Sequence, residues 1–178
     1  MLSEESDPTS IKRLPNNLAQ AVRITEGTFA WTVQEGDASK KIVTLNKINL
    51  EIKRGELAAI CGAVGSGKSS ILASLLGDID RIDGSVEVNG SIAYVQQNAW
   101  IQNATLMDNI LFGRPYDHER YRNAIRVCEL ESDLKVFPAG DQTEIGEKGI
   151  NLSGGQKQRV AMARAVYSDA DIYLLVFF

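Results

Sequence analysis

An α/β fold is what the sequence predicts, and three observations carry that reading. Leu57-Ala58-Ala59-Ile60-Cys61 is a short apolar run without alternation, the pattern of a strand buried on both faces of a parallel sheet. A glycine-rich turn and a helical stretch from Lys68 to Leu76 follow it directly. Upstream, Val22 to Trp31 and Val43 to Ile52 alternate apolar and polar residues, which reads as an antiparallel layer.

The chain has 178 residues, room for one domain rather than two large ones. Hydrophobic residues make up 44% and charged residues 24%, a balance that builds a core rather than a disordered tail. Lys and Arg total 19 against 23 Asp and Glu, a net charge of −4. That leaves no general electrostatic case for nucleic acid, and none is expected as a partner. The longest apolar stretches, residues 57–65 and 172–178, fall far short of the roughly 18 residues of a membrane span. Residues 1–20 carry Glu4, Glu5 and Asp7 and no apolar run, so no signal peptide is visible. Cys61 and Cys128 lie far apart in apolar surroundings and read as buried thiols of a reducing compartment, not as a disulfide.

Residues 1–20, rich in Ser, Glu, Asn and Pro, read as a linker or tail, and 21–178 as the domain. The two alternating segments make a hairpin around a polar loop, residues 34–41, and the second strand ends at the Lys53-Arg54-Gly55 turn. The helix over 68–76 stops at Gly77. Ser85 to Val88 and Ile92 to Val95 flank Asn89-Gly90, a hairpin turn signal. Thr105 caps a short helix to Phe112, Asp117 caps one over about 119–129, and Ser153 caps one from Gly154 to Tyr167. Tyr121, Ile125 and Cys128 share a face of the second. Ile172 to Phe178 is a last apolar strand, expected in the parallel sheet beside 57–61.

Gly62-Ala63-Val64-Gly65-Ser66-Gly67-Lys68-Ser69 fits G-x-x-x-x-G-K-[ST] at every fixed position, between an expected strand and a helix. The glycines let backbone N–H groups converge on phosphate oxygens, and the helix N-terminus adds its positive dipole end. Lys68 can reach β- and γ-phosphates and the Ser69 hydroxyl can ligate Mg²⁺. A chance match in a chain of this length is below roughly 1% at average residue usage. Leu152-Ser153-Gly154-Gly155-Gln156 opens another helix, with Ser153 as cap and two glycines baring N–H groups beside it. Physically it is a second anion site of the same kind, or an ordinary cap with a flexible approach.

Together the two loops resemble the ATP-binding cassette family, whose signature motif is this Leu-Ser-Gly-Gly-Gln. The resemblance runs from about Val22 to Leu175 and is closest to the first nucleotide-binding domain of C-subfamily, multidrug-resistance-associated transporters. Residues 94–102, 109–113 and 165–175 carry that closer match. It implies a P-loop NTPase core with an antiparallel β subdomain and a helical signature subdomain. It implies ATP and Mg²⁺ as cofactors, with Gly62, Ala63, Val64, Gly65, Ser66, Gly67, Lys68, Ser69 and Ser70 around the phosphates. Trp31 falls where the family has an aromatic stacked on adenine. Gln97 aligns with the Q-loop glutamine that contacts Mg²⁺ or the attacking water; Gln96 is its rival, and Gln97 stands three residues before Trp100 as the pattern has it. Leu152, Ser153, Gly154, Gly155 and Gln156 would meet ATP held by a second such domain in a head-to-tail pair. Residues 143–149 resemble the exporter loop that touches the membrane domains of the same transporter. The location implied is the cytoplasmic face of a membrane.

One departure is expected to matter. After Ile172-Tyr173-Leu174-Leu175 the family places a metal-holding Asp and then an acidic catalytic base, whereas here stand Val176 and Phe177. The family's later strands and its switch histidine are absent from the sequence, so the domain reads as incomplete at its C-terminus. His118, the sole histidine, sits in the polar start of a helix and reads as a surface residue. The resemblance therefore implies the ATPase of an exporter moving amphipathic or anionic small molecules. The residues present imply a nucleotide-binding fragment deficient in hydrolysis. A soluble ATP-binding cassette ATPase is the remaining alternative, against which residues 143–149 and the acidic charge weigh.

Overall fold

A computed structural model describes residues 11–14, 19–35, 38–147 and 150–176. It holds two compact units, Met1–Gly90 and Ser91–Phe178.

The first unit is a four-stranded sheet and one helix. Strands β2 (Gln20–Glu35) and β3 (Ala38–Lys53) form the expected hairpin. Its ladder runs from Gln20 opposite Lys53 to Glu35 opposite Ala38. The polar stretch expected as a loop over 34–41 is therefore mostly strand, because cross-strand pairs such as Trp31 with Ile42 carry the ladder outward; residues 36 and 37 lie outside the described residues. Strand β4 (Asp80–Asn89) lies antiparallel on the other side of β2, and β1 (Lys12–Leu14) runs parallel to β4, giving the order β1-β4-β2-β3. A stretch read as linker thus contains a strand, while residues 1–10 and 15–18 lie outside the described residues. The core lies between the sheet and helix α1 (Lys68–Leu76): Val22, Ile24, Phe29, Leu45, Leu75, Ile79, Val86 and Val88 are buried. Helix α1 ends at Gly77 in the left-handed region, φ 88°, with Gly77 N–H bonded to the Ala73 carbonyl.

Two expectations fail here. Asn89-Gly90 does not turn a hairpin, since β4 pairs with β2 (Val22 opposite Val88, Ile24 opposite Val86). That register buries Val86 and Val88 against the larger apolar face, and the buried Asn89 spends its Nδ2 on the Gln20 carbonyl at 2.8 Å. Residues 57–61 form no strand among the described residues; Leu57 is 98% exposed and Cys61 is exposed rather than buried. An apolar run becomes a central strand only where other strands pair its edges. In this unit β1 to β4 pair with one another, and the expected neighbour at the chain's C-terminal end is engaged elsewhere.

That engagement is in the second unit, where β5 (Ile92–Val95) pairs in parallel with β8 (Ile172–Leu175), from Ile92 opposite Ile172 to Val95 opposite Leu175. Phe177 and Phe178, expected to extend this strand, lie outside the described residues. Between them come β6 (Ala104–Thr105), α2 (Leu106–Leu111), α3 (His118–Val127), α4 (Glu131–Val136), β7 (Glu144–Ile145) and α5 (Gly154–Ser168). Helices α2, α3 and α5 begin at the expected caps: Thr105 Oγ1 accepts from Asp108 N–H, Asp117 from Arg120 N–H, Ser153 from Gln156 N–H. One apolar cluster joins α2, α3 and α5 through Leu106, Ile110, Tyr121, Ile125, Cys128, Val160 and Tyr167. The fully buried Tyr167 is satisfied by donating to the Pro115 carbonyl and accepting from Asp117 N–H at 2.9 Å.

Candidate functional site

In the first unit, Gly67 caps α1 at φ 89° and Gly65 sits at φ 81°, both conformations that a side chain resists. A Cβ on Gly67 would lie 3.0 Å from Leu45 Cδ2, so the Leu45 side chain would have to give way. A Cβ on Gly62 would meet Ser66 Oγ at 2.7 Å. The loop folds over itself, with Ser66 N–H on the Ala63 carbonyl at 3.2 Å. Lys68 Nζ reaches back across it and donates to the carbonyls of Gly62 at 2.9 Å and Ala63 at 2.7 Å. The first turn of α1 contains no acidic residue, so its bare N–H groups and the ammonium make one positive surface. Ser69, in that turn, is exposed.

Trp31 stands beside this helix. Its indole N–H donates to Ser70 Oγ at 3.1 Å, Ser70 is buried, and the Trp31 side chain stays partly open at 38%. The hairpin's long ladder is what carries Trp31 to α1.

In the second unit, Gln97 follows β5 in an exposed bend. The carbonyls of Gln96 and Gln97 both accept from Gln158 Nε2, which ties the bend to α5. The second glycine loop opens α5 with a complete capping box: Ser153 Oγ accepts from Gln156 N–H at 3.2 Å, and Gln156 Oε1 accepts from Ser153 N–H at 2.9 Å. Leu152 is buried and anchors the loop, whereas Ser153, Gly154 and Gly155 are exposed. Within residues 143–149, Thr143 and Ile145 are buried and Glu144 and Glu147 face solvent; 148 and 149 lie outside the described residues. His118 is exposed, and its Nδ1 lies 3.1 Å from the Tyr116 hydroxyl.

Three residues with no spacing signal hold these loops. Asp133 on α4 accepts from Arg159 Nε at 2.8 Å, Arg159 Nη2 at 3.0 Å and Gln156 Nε2 at 3.1 Å. The Arg159 hydrogen bonds hold its carboxyl below the ordinary range against the opposing effect of burial. Gln158 is the second. The third, Arg164, donates to the Asn109 carbonyl at 2.8 Å and lies 4.7 Å from the Phe112 ring centroid; burial lowers its pKa. Only their places along α5 and α4 bring them to these partners, so no motif in the sequence marks them.

The model of the ABC transporter family matches residues 45–175 of the chain. This chain belongs to that family. It is 53% identical over 97% of its length to the ATP-binding cassette sub-family C member 3 of Rattus norvegicus. It is 54% identical over 98% to the ABC transporter C family member 8 of Dictyostelium discoideum, and 50% over 98% to the multidrug resistance protein mrp-7 of Caenorhabditis elegans. The chain spans only 10% or 11% of the length of these relatives. In this ABC transporter family member, no helix among the described residues is long and apolar enough to cross a membrane. The two units are the mixed α/β architecture of the family's ATPase domain, a mainly antiparallel sheet in one and a helical layer in the other.

Proposed function

We propose that the chain binds ATP with Mg²⁺ through Gly62–Ser70 and Trp31, as an ATP-binding domain of an ABC exporter. The observation that carries this is the loop itself: positive-φ glycines, the bare first turn of α1 and the Lys68 ammonium converge on one surface. Lys68 exchanges its two carbonyl partners for phosphate oxygens when nucleotide arrives, so it needs no long reorganisation. The N–H groups of the first turn receive the remaining phosphate charge. Trp31, fixed by Ser70, offers an apolar face to the adenine. The donor set suits Mg²⁺, a hard cation that takes oxygen ligands: the Ser69 hydroxyl would hold it. When bound, it neutralises phosphate charge.

The membrane domains of the same transporter and a second nucleotide-binding domain are the partners this reading requires, at the cytoplasmic face of a membrane. The second domain would present its ATP to Leu152–Gln156, and pairing would drive transport of amphipathic or anionic small molecules. Residues 143–149 are the proposed contact with the membrane domains, which disfavours a soluble ATPase. The Val176 and Phe177 side chains, where the family has carboxylates, favour a second reading: this chain alone holds nucleotide without turning it over.

Isothermal titration of ATP into the chain and into Lys68→Ala tests the reading. The variant should lose about 1.5–3 kcal/mol of binding, the worth of a charged hydrogen-bond partner. Equal affinities would refute the assignment of the loop.

A further inference from the structure

We propose that Asp133 is a positioning residue for the second glycine loop: it fixes the Gln156 amide and aims Arg159, so that Ser153 O–H and the Gly154 and Gly155 N–H groups face a phosphate. This rests on the reading of Leu152–Gln156 as the loop that meets ATP on a second domain.

Ionised, Asp133 only accepts, so the Gln156 end that faces it must be Nε2. Oε1 is thereby turned to Ser153 N–H, which closes the capping box. An amide with no acceptor beside it could turn over and open that box. With it closed, Gln156 spends its side chain and its backbone N–H inside the protein, and Ser153 spends its own N–H. Lys157 N–H is bonded to the Ser153 carbonyl at 2.9 Å. Of the first four N–H groups of α5, those of Gly154 and Gly155 remain to be satisfied from outside, together with the Ser153 hydroxyl proton.

A carboxylate this near an anion site would ordinarily repel the anion. Here Arg159 cancels it with a two-pronged contact at 2.8 and 3.0 Å. The same contact orients the guanidinium. Its third nitrogen, Nη1, is left beside the loop, where a Cβ placed on Gly155 would lie 3.6 Å from it. The pair therefore turns its positive end toward Gly155. Asp133 is 7% exposed, out of reach of a ligand, so it acts through Gln156 and Arg159.

The test uses the full chain, nitrogen-15 labelled, with Asp133→Ala, its near-isostere Asp133→Asn, and Ser153→Ala. Amide exchange at Ser153 is read by NMR, and self-association with ATP and Mg²⁺ by sedimentation. Asp133→Ala should speed Ser153 exchange about tenfold and weaken ATP-dependent association about tenfold, the scale of one lost hydrogen bond to a charge. Binding of ATP by the monomer should stay within about twofold, and Asp133→Asn should fall between. Unchanged Ser153 exchange in both variants would overturn the proposal. So would an acceleration at Ser153 no greater than the one that lost global stability gives Ile125 and Val160, which would make Asp133 a general structural residue. Should Ser153→Ala associate with ATP like the unaltered chain, the phosphate role of the loop fails, while the exchange data still judge the positioning by Asp133.

Discussion

The indole N–H of Trp31 donates to Ser70 Oγ at 3.1 Å, across 39 residues of sequence. One bond thus ties the far part of the β2–β3 hairpin to the helix that follows the glycine loop. It links the base-contacting and phosphate-contacting parts of the proposed site directly.

From this follows a prediction about nucleotides. Trp31→Ala should weaken ATP and ADP equally, by about 1–3 kcal/mol, because both carry the same base to stack. Titration calorimetry with both ligands checks it. A loss confined to ATP would place Trp31 near the γ-phosphate instead.

The hydrolytic prediction follows from residues 176 and 177. Purified chain should release phosphate from ATP at the rate of its Lys68→Ala variant, since neither position offers a carboxylate. Asp171, the nearest preceding acid, is held by Ser91: its Oδ2 accepts from Ser91 N–H and Ser91 Oγ, both at 2.8 Å. Turnover clearly above the Lys68→Ala control would contradict this.

Local chemistry is legible in the sequence, and choice of strand partner is not. Gly77, Thr105, Asp117 and Ser153 act on groups within four residues of themselves, so each marks its helix end correctly. The left-handed Gly65 and Gly67 before α1 are legible for the same reason. Asn89-Gly90 misleads because a turn signal competes with distant pairing, and the β2 face wins by burying Val86 and Val88. The run 57–61 misleads because its composition states a need for cover without naming what provides it. Asp133 is invisible because a lone acid in a six-residue helix has no pattern. Its meaning arises only where α4 meets α5.

Asp133 also sets a pH dependence. Its folded pKa is depressed, so its stabilisation is present above the ordinary Asp value of about 3.9 and is lost as the pH falls through the lower folded value. At pH 7, Asp133→Asn should cost about 1–3 kcal/mol, a hydrogen-bonded charge lost from a mostly buried site. The gap between variant and unaltered chain should close as the pH drops below about 4. Denaturant melts at a series of pH values measure it, and a gap that widens in acid would reverse the sign.

The two cysteines give a direct test of the segment on which sequence and structure differ. Cys128 is buried in the α2–α3–α5 cluster, and burial pushes its thiol up to about 11. Little of it is thiolate at neutral pH, and the reactive form is the thiolate. Cys61 is exposed and stands next to Gly62 at the mouth of the loop. Under native conditions a thiol reagent should therefore label Cys61 promptly and Cys128 only on unfolding. ATP with Mg²⁺ should slow the Cys61 reaction, because nucleotide on Gly62–Ser70 covers the neighbouring backbone, while Lys68→Ala should abolish that protection. Mass mapping of the labelled peptides assigns the sites. If Cys61 resists labelling without nucleotide, residues 57–61 are covered in solution, as their composition demands.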